Sequence, residues 1–167
     1  MDCRARERVL DEAYPLFRFS GACKDLVSAY KFRDRRSLAP FLAELLAAAA
    51  ERLWPDWSIV PVPPRPGKLR ERGWDQVERL ARELEGRGFA VARPLERLGS
   101  KQQKRLGREA RLANARAAYR LKEGATPPEL ALLLDDVVTT GATAEACAAA
   151  LKAGGSRKVS LLILAAD

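Results

Sequence analysis

Short apolar runs alternate with amphipathic helical stretches along this chain, and that order predicts an α/β fold with a mostly parallel sheet flanked by helices. Three observations carry the expectation. Ser58 to Val62 is short, apolar and β-branched between turn-forming residues, and Lys158 to Leu164 reads as a last buried strand; Leu130 to Leu134 is apolar at every position; and the segments between them repeat apolar residues at helical spacing. The 167 residues suffice for one compact domain with a true core, and 47% hydrophobic against 31% charged side chains excludes a disordered chain.

The elements follow in order. From Lys24 to Arg52 the apolar positions are Leu26, Val27 and Tyr30, then Leu38, Phe41, Leu42, Leu45 and Leu46, which predicts two helices broken near Asp34. The strand at Ser58 to Val62 runs into a turn at Pro63 to Gly67. Gly73 to Gly86 reads as an amphipathic helix, Val77, Leu80, Ala81 and Leu84 on one face and Glu78, Arg79, Arg82 and Glu83 on the other. Phe89 to Ala92 predicts a short strand. From Arg97 to Arg116 polar residues dominate, and a loop that long inside a compact domain is usually functional or mobile. Ala117 to Leu121 predicts a strand, followed by a turn from Gly124 to Pro128. A Leu/Ala run such as Leu130 to Leu134 also permits helix, but its brevity and the acidic turn after it favour a central strand covered on both faces. Thr143 to Ala153 is an alanine-rich helix ended by Gly154 and Gly155.

The 30 basic and 22 acidic residues give a net charge of +8, and the excess is local. Through Pro64 there are ten basic and nine acidic residues, from Arg65 to Lys122 seventeen and seven, and from Glu123 onward three and six. A concentration in the middle third points to a polyanionic partner, nucleic acid or a phosphorylated metabolite, with solvated arginine-rich helix faces as the plain alternative. Cys3, Cys23 and Cys147 are too few and too scattered for a disulfide framework or a four-ligand zinc site, and there is no histidine. Hydrolases built on Ser-His or Cys-His pairs are thereby excluded. No apolar run approaches the roughly 20 residues of a membrane span, and Met1 to Arg8 does not read as a signal peptide, so the expected location is the cytoplasm, without membrane insertion.

The chemistry concentrates in Leu132 to Thr143: a strand, the adjacent acids Asp135 and Asp136, then a hydroxyl-rich turn opening a helix. Ligands of parallel α/β sheets bind beyond the carboxyl ends of strands, where a helix N-terminus offers unpaired N–H groups and partial positive charge. Thr139, Thr140, Gly141, Ala142 and Thr143 could cradle a phosphate monoester, Gly141 allowing close approach and the hydroxyls adding donors. The two acids would repel that phosphate and suit instead the hydroxyls of a sugar, or an indirect anchor for Mg²⁺.

This stretch resembles the phosphoribosyl pyrophosphate (PRPP) motif of type I phosphoribosyltransferases. Further segments resemble the ComF family of competence-associated, phosphoribosyltransferase-like proteins: Val60-Pro61-Val62-Pro63, then Arg70 to Gln76 as its RGFNQ signature; Gln103 to Leu106 with Arg111 and Asn114; and Ala29-Tyr30-Lys31-Phe32. The resemblance covers nearly all of residues 24 to 165. It implies a type I phosphoribosyltransferase-like core over residues 58–167, preceded by a short helical hood over residues 1–57, in which Cys3 and Cys23, without a Cys-x-x-Cys pair, are not expected to form a zinc finger. Asp135 and Asp136 would hold the ribose hydroxyls and Thr139 to Thr143 the 5-phosphate. Arg65, Lys68, Arg70 and Arg72 would face the pyrophosphate that leaves with Mg²⁺. Lys104 and Arg105, with Gln103, Arg111 and Asn114, would belong to a loop closing over the site, making Asp135, Asp136, Lys104 and Arg105 the catalytic candidates, with no metal ligated directly by the protein. The implied activity is phosphoribosyl transfer to an unidentified acceptor during DNA uptake. The alternative is a non-catalytic competence factor that holds single-stranded DNA, uses PRPP as a regulator and meets other competence-machinery proteins. Members of the family usually begin with a cysteine-rich zinc-binding segment, which Cys3 and Cys23 do not reproduce, and Asp75 stands where the signature has asparagine.

Overall fold

The computed structural model describes residues 9–64, 67, 71, 73–98 and 118–166. Its sheet is built from β1 (Glu12–Arg18), β2 (Ser58–Pro61), β5 (Leu130–Val138) and β6 (Lys158–Ala166), in the order β1-β6-β5-β2 and parallel throughout. A separate antiparallel pair joins β3 (Leu95–Arg97) to β4 (Tyr119–Leu121). The helices are α1 (Gly21–Phe32), α2 (Ala39–Leu53), α3 (Gln76–Glu85) and α4 (Ala142–Ala153), with a 3₁₀ turn at Arg36–Leu38 before α2. The expected α/β architecture, a parallel sheet flanked by helices, is present.

Side chains alternate between the faces of a strand. Ile59, Leu132, Leu134, Leu162 and Leu164 join a core with Leu42 and Leu46 of α2 and Leu80 and Leu84 of α3. Val60, Ala131, Leu133, Val159, Leu161 and Ile163 join another with Cys147 and Leu151 of α4 and Tyr119 of β4. Both faces of β5 are covered, which is why Leu130 to Leu134 shows no polar position.

Three local differences from the sequence reading have physical causes. β1 went unread because Pro15 interrupts it; on an edge strand a missing N–H costs little, while Tyr14 and Leu16 still turn toward the core. Within residues 1–57, expected as a helical hood, the described residues therefore also supply a strand, and α1 and α2 share one core with β2, β5 and β6. Second, Phe41 is 50% exposed, and alanines 43, 47 and 50 join Leu42 and Leu46 on the buried face of α2. Third, Phe89 to Ala92 makes one parallel bridge, Val91 to Ile59, at the outer edge of β2, and the paired strand is β3, which ends at Arg97, where the sequence predicts the polar loop to begin. The expected break near Asp34 is there, that residue adopting φ 53° between α1 and the 3₁₀ turn.

Candidate functional site

β5 does not end before its acids: it continues to Val138, so Asp135 and Asp136 lie within the strand and point to opposite faces. Asp136 faces the α1 and α3 side and is 3% exposed. Lys31, near the end of α1, donates to its Oδ1 at 2.9 Å and reaches Oδ2 at 2.7 Å. Gln76, at the start of α3, donates from Nε2 to Oδ2 at 3.1 Å, and the Val137 N–H donates to Oδ1 at 2.7 Å. Tyr30 ties the two helices together, its hydroxyl donating to the Gln76 carbonyl at 2.7 Å and its ring meeting Trp74 edge-on at 5.4 Å.

Asp135 has a different environment. Its Oδ1 accepts from the Asp136 N–H at 2.8 Å, and it keeps partial exposure on a cleft of about 250 Å³. Burial, reinforced by the Asp136 charge, pushes its carboxyl up to about 7. Lys31, Pro64, Trp74, Asp75, Gln76 and Arg97 are among the cleft's other lining residues, as are Tyr119 and Thr143. The Arg97 guanidinium lies 5.0 Å from the Tyr119 ring centre and donates to its hydroxyl. Cys147 is fully buried, and desolvation followed by the Asp135 charge raises its thiol, so it packs as a hydrophobe rather than acting as a nucleophile.

Beyond the acids a smaller hollow of about 70 Å³ is lined by Thr139, Thr140, Gly141, Ala142 and Thr143, and it shares Asp135, Val137 and Thr143 with the main cleft. Neither Thr139 nor Thr143 caps α4. Gly141 stands at the N-cap with φ 72° and has no side chain to cap the helix, while the Ala142 N–H, in the first turn, donates to the Thr140 hydroxyl at 3.5 Å. A Cβ at Gly141 would meet nothing within 4 Å, so the left-handed backbone, not a need for space, calls for glycine.

The structure thus brings Asp135, Asp136 and the 139–143 turn together at the carboxyl end of β5. Arg65, Lys68, Arg70, Arg72, Gln103, Lys104, Arg105, Arg111 and Asn114 lie outside the described residues. Their flanking positions are described, however. Pro64 and Trp74, on either side of the first group, line the cleft, as do Arg97 and Tyr119 on either side of the second. Residues 65–72 hold four basic residues and one acidic, and residues 99–117 six and one, whereas residues 73–98 balance at five and five. Within that balanced stretch Arg79 pairs with Glu83, Arg82 with Glu78, Arg87 with Glu83, and Arg93 with Glu78 and Glu85.

The sequence reading missed Lys31, Gln76, Arg97 and Tyr119 as site residues. The signal for the first two was present: the Tyr-Lys-Phe and RGFNQ-like segments converge on one carboxylate. Asp75 also finds its reason. Its side chain caps α3, accepting from the Glu78 N–H at 2.7 Å, a role that aspartate and asparagine fill about equally. Burial pushes this carboxyl up, with Asp136 adding to the effect.

Fold and site define an α/β protein with a ligand cleft at the carboxyl edge of a parallel sheet. No family model matches the chain. Over 153 residues, 89% of this chain, it is 31% identical to the competence protein ComFC of Streptococcus pneumoniae (strain ATCC BAA-255 / R6). The chain spans 66% of that relative's length. A similarity spread over most of the chain supports the ComF family, in agreement with the motifs that meet in the cleft. Among the described residues no helix is long and apolar enough to cross a membrane.

Proposed function

We propose that the cleft binds PRPP and that the protein is a type I phosphoribosyltransferase-like member of the ComF family, acting in competence. The observation that carries this reading is the conjunction at the end of β5: a partly exposed carboxylate, Asp135, that lines both the cleft and the adjoining hollow formed by the hydroxyl-bearing turn at the start of α4. A ribose hydroxyl donates to Asp135 while its phosphate accepts from the Thr139 to Thr143 turn. The pyrophosphate then extends toward the ends of the two basic segments, where Arg65, Lys68, Arg70, Arg72, Lys104 and Arg105 supply positive charge to a departing anion.

No group of three or more acidic or thiol side chains among the described residues could hold a metal. Mg²⁺ would reach this site as an ion carried by the ligand, near Asp135, where it would supply charge neutralisation to the leaving group. The C1–oxygen bond to pyrophosphate breaks as the acceptor's bond to C1 forms, and no protein nucleophile takes part. Competence is what the pneumococcal relative's name states of that protein, and it comes to this chain as part of the proposal.

The test is thermal unfolding with PRPP and Mg²⁺. At a hundred times its dissociation constant the ligand should stabilise the wild type by about 2.7 kcal/mol. Asp135→Asn should lose that gain. An equal gain in both proteins overturns the assignment of Asp135, and binding without pyrophosphate release on any nitrogen acceptor reduces the protein to a PRPP-responsive competence factor.

A further inference from the structure

Lys31 and Asp136 form the least exposed ion pair among the described residues, with side chains 19% and 4% exposed. The acid's acceptor capacity is largely taken: Lys31 contacts both oxygens, Gln76 one and the Val137 N–H the other. Asp135, by contrast, has one backbone donor and an opening to the cleft. The strand's two-residue period separates the two acids onto opposite faces, and the ammonium that meets Asp136 comes from Lys31 in the last turn of α1.

We infer that Lys31 is a positioning residue, the built-in cation of Asp136, so that an incoming ligand meets one free carboxylate, Asp135, rather than two. The inference deepens the sugar-phosphate reading and rests on it for the ligand, but not for its test. An ammonium within 2.7 Å of Asp136 occupies the ground on which a divalent ion would sit. It also cancels one charge in a cleft where Asp75, Asp135 and Asp136 lie near one another. Free metal is thereby kept off the acids until a ligand brings it. A merely structural role would also use the ion pair, but would not govern metal affinity.

The test titrates Mn²⁺ alone against the full chain, reading free Mn²⁺ by electron paramagnetic resonance, with folding checked by circular dichroism. Wild type should bind Mn²⁺ only at millimolar levels, and Lys31→Gln should bind it about tenfold tighter or more, because it uncovers an uncompensated carboxylate. Lys31→Arg, which keeps the charge, should match wild type. Lys31→Gln/Asp136→Asn, which removes both charges, should also return to the wild-type value. Equal affinity in wild type and Lys31→Gln overturns the inference, as does a gain in Lys31→Arg. Should Lys31→Gln fail to fold, wild type decides: micromolar Mn²⁺ affinity overturns it, and millimolar affinity supports it. PRPP is absent from these titrations. A wild type unresponsive to PRPP therefore fails the sugar-phosphate reading alone, and unchanged Mn²⁺ affinity in Lys31→Gln fails this inference alone.

Discussion

Asp135 and Asp136 are neighbours in one strand, yet their surroundings have little in common. Asp136 is closed in by Lys31, Gln76 and its own backbone, while Asp135 is buried beside that charge with one backbone donor and an open side. The difference teaches that an acid pair in sequence need not be an acid pair in function. In a strand covered on both faces, successive residues answer to different helices.

The largest effect should come from breaking the closed member. Asp136→Asn leaves the Lys31 ammonium without its partner in a mostly buried position, and should cost about 3 kcal/mol in denaturant unfolding. Asp135→Asn should cost far less and, near neutral pH, stabilise. If the two substitutions cost the same, the division between the acids is wrong.

Second comes the pH dependence of the open member. The folded-state carboxyl of Asp135 lies at about 7, above its unfolded value near 3.8. The folded state therefore binds more protons between those limits, and stability must fall as pH rises through the window. This group's contribution is fully present below about pH 4 and is lost as pH passes about 7. Denaturant midpoints measured from pH 4 to 8 should show Asp135→Asn gaining on wild type with rising pH; a constant difference between the two proteins would remove the basis for treating Asp135 as a charge held at a cost.

Much of this arrangement was legible in the sequence, and the parts that were not share a cause. The all-apolar Leu130 to Leu134 announced a strand covered on two sides, and the hydroxyl turn announced a helix start. What hid β1 was Pro15, whose penalty depends on whether a strand is central or at the edge, a property of the assembled sheet. What hid Lys31 and Gln76 was distance: positions 31, 76 and 136 meet only after α1 and α3 dock on one face. The acidic positions were read as a turn because charge at a strand's end looks like its termination, whereas here pairing with β6 continues to Val138.

The helix start of α3 offers a third, smaller contrast. Asp75 caps α3 through the Glu78 N–H, so Asp75→Ala should cost about 1 kcal/mol while Asp75→Asn should be close to neutral. Because Gln76 follows immediately and holds Asp136, the Ala variant should also weaken PRPP stabilisation, and the Asn variant should not.

The smallest effect separates the balanced stretch from the two segments that carry the net charge. Arg79 and Arg82 are exposed and paired one helical turn along with Glu83 and back with Glu78, contacts worth about 0.3–0.5 kcal/mol each. Arg79→Gln/Arg82→Gln should therefore lower stability by less than about 1 kcal/mol. If single-stranded DNA binds this protein, the segments 65–72 and 99–117 are where its phosphates find unbalanced charge, and affinity should fall steeply with salt. The α3 double variant should then leave both the affinity and the salt slope nearly unchanged, since each arginine already faces a carboxylate. Substituting Lys104 and Arg105 to Gln should flatten the slope by about two counterions. The opposite ranking would move the nucleic-acid surface from the two basic segments to the exposed arginines of α3.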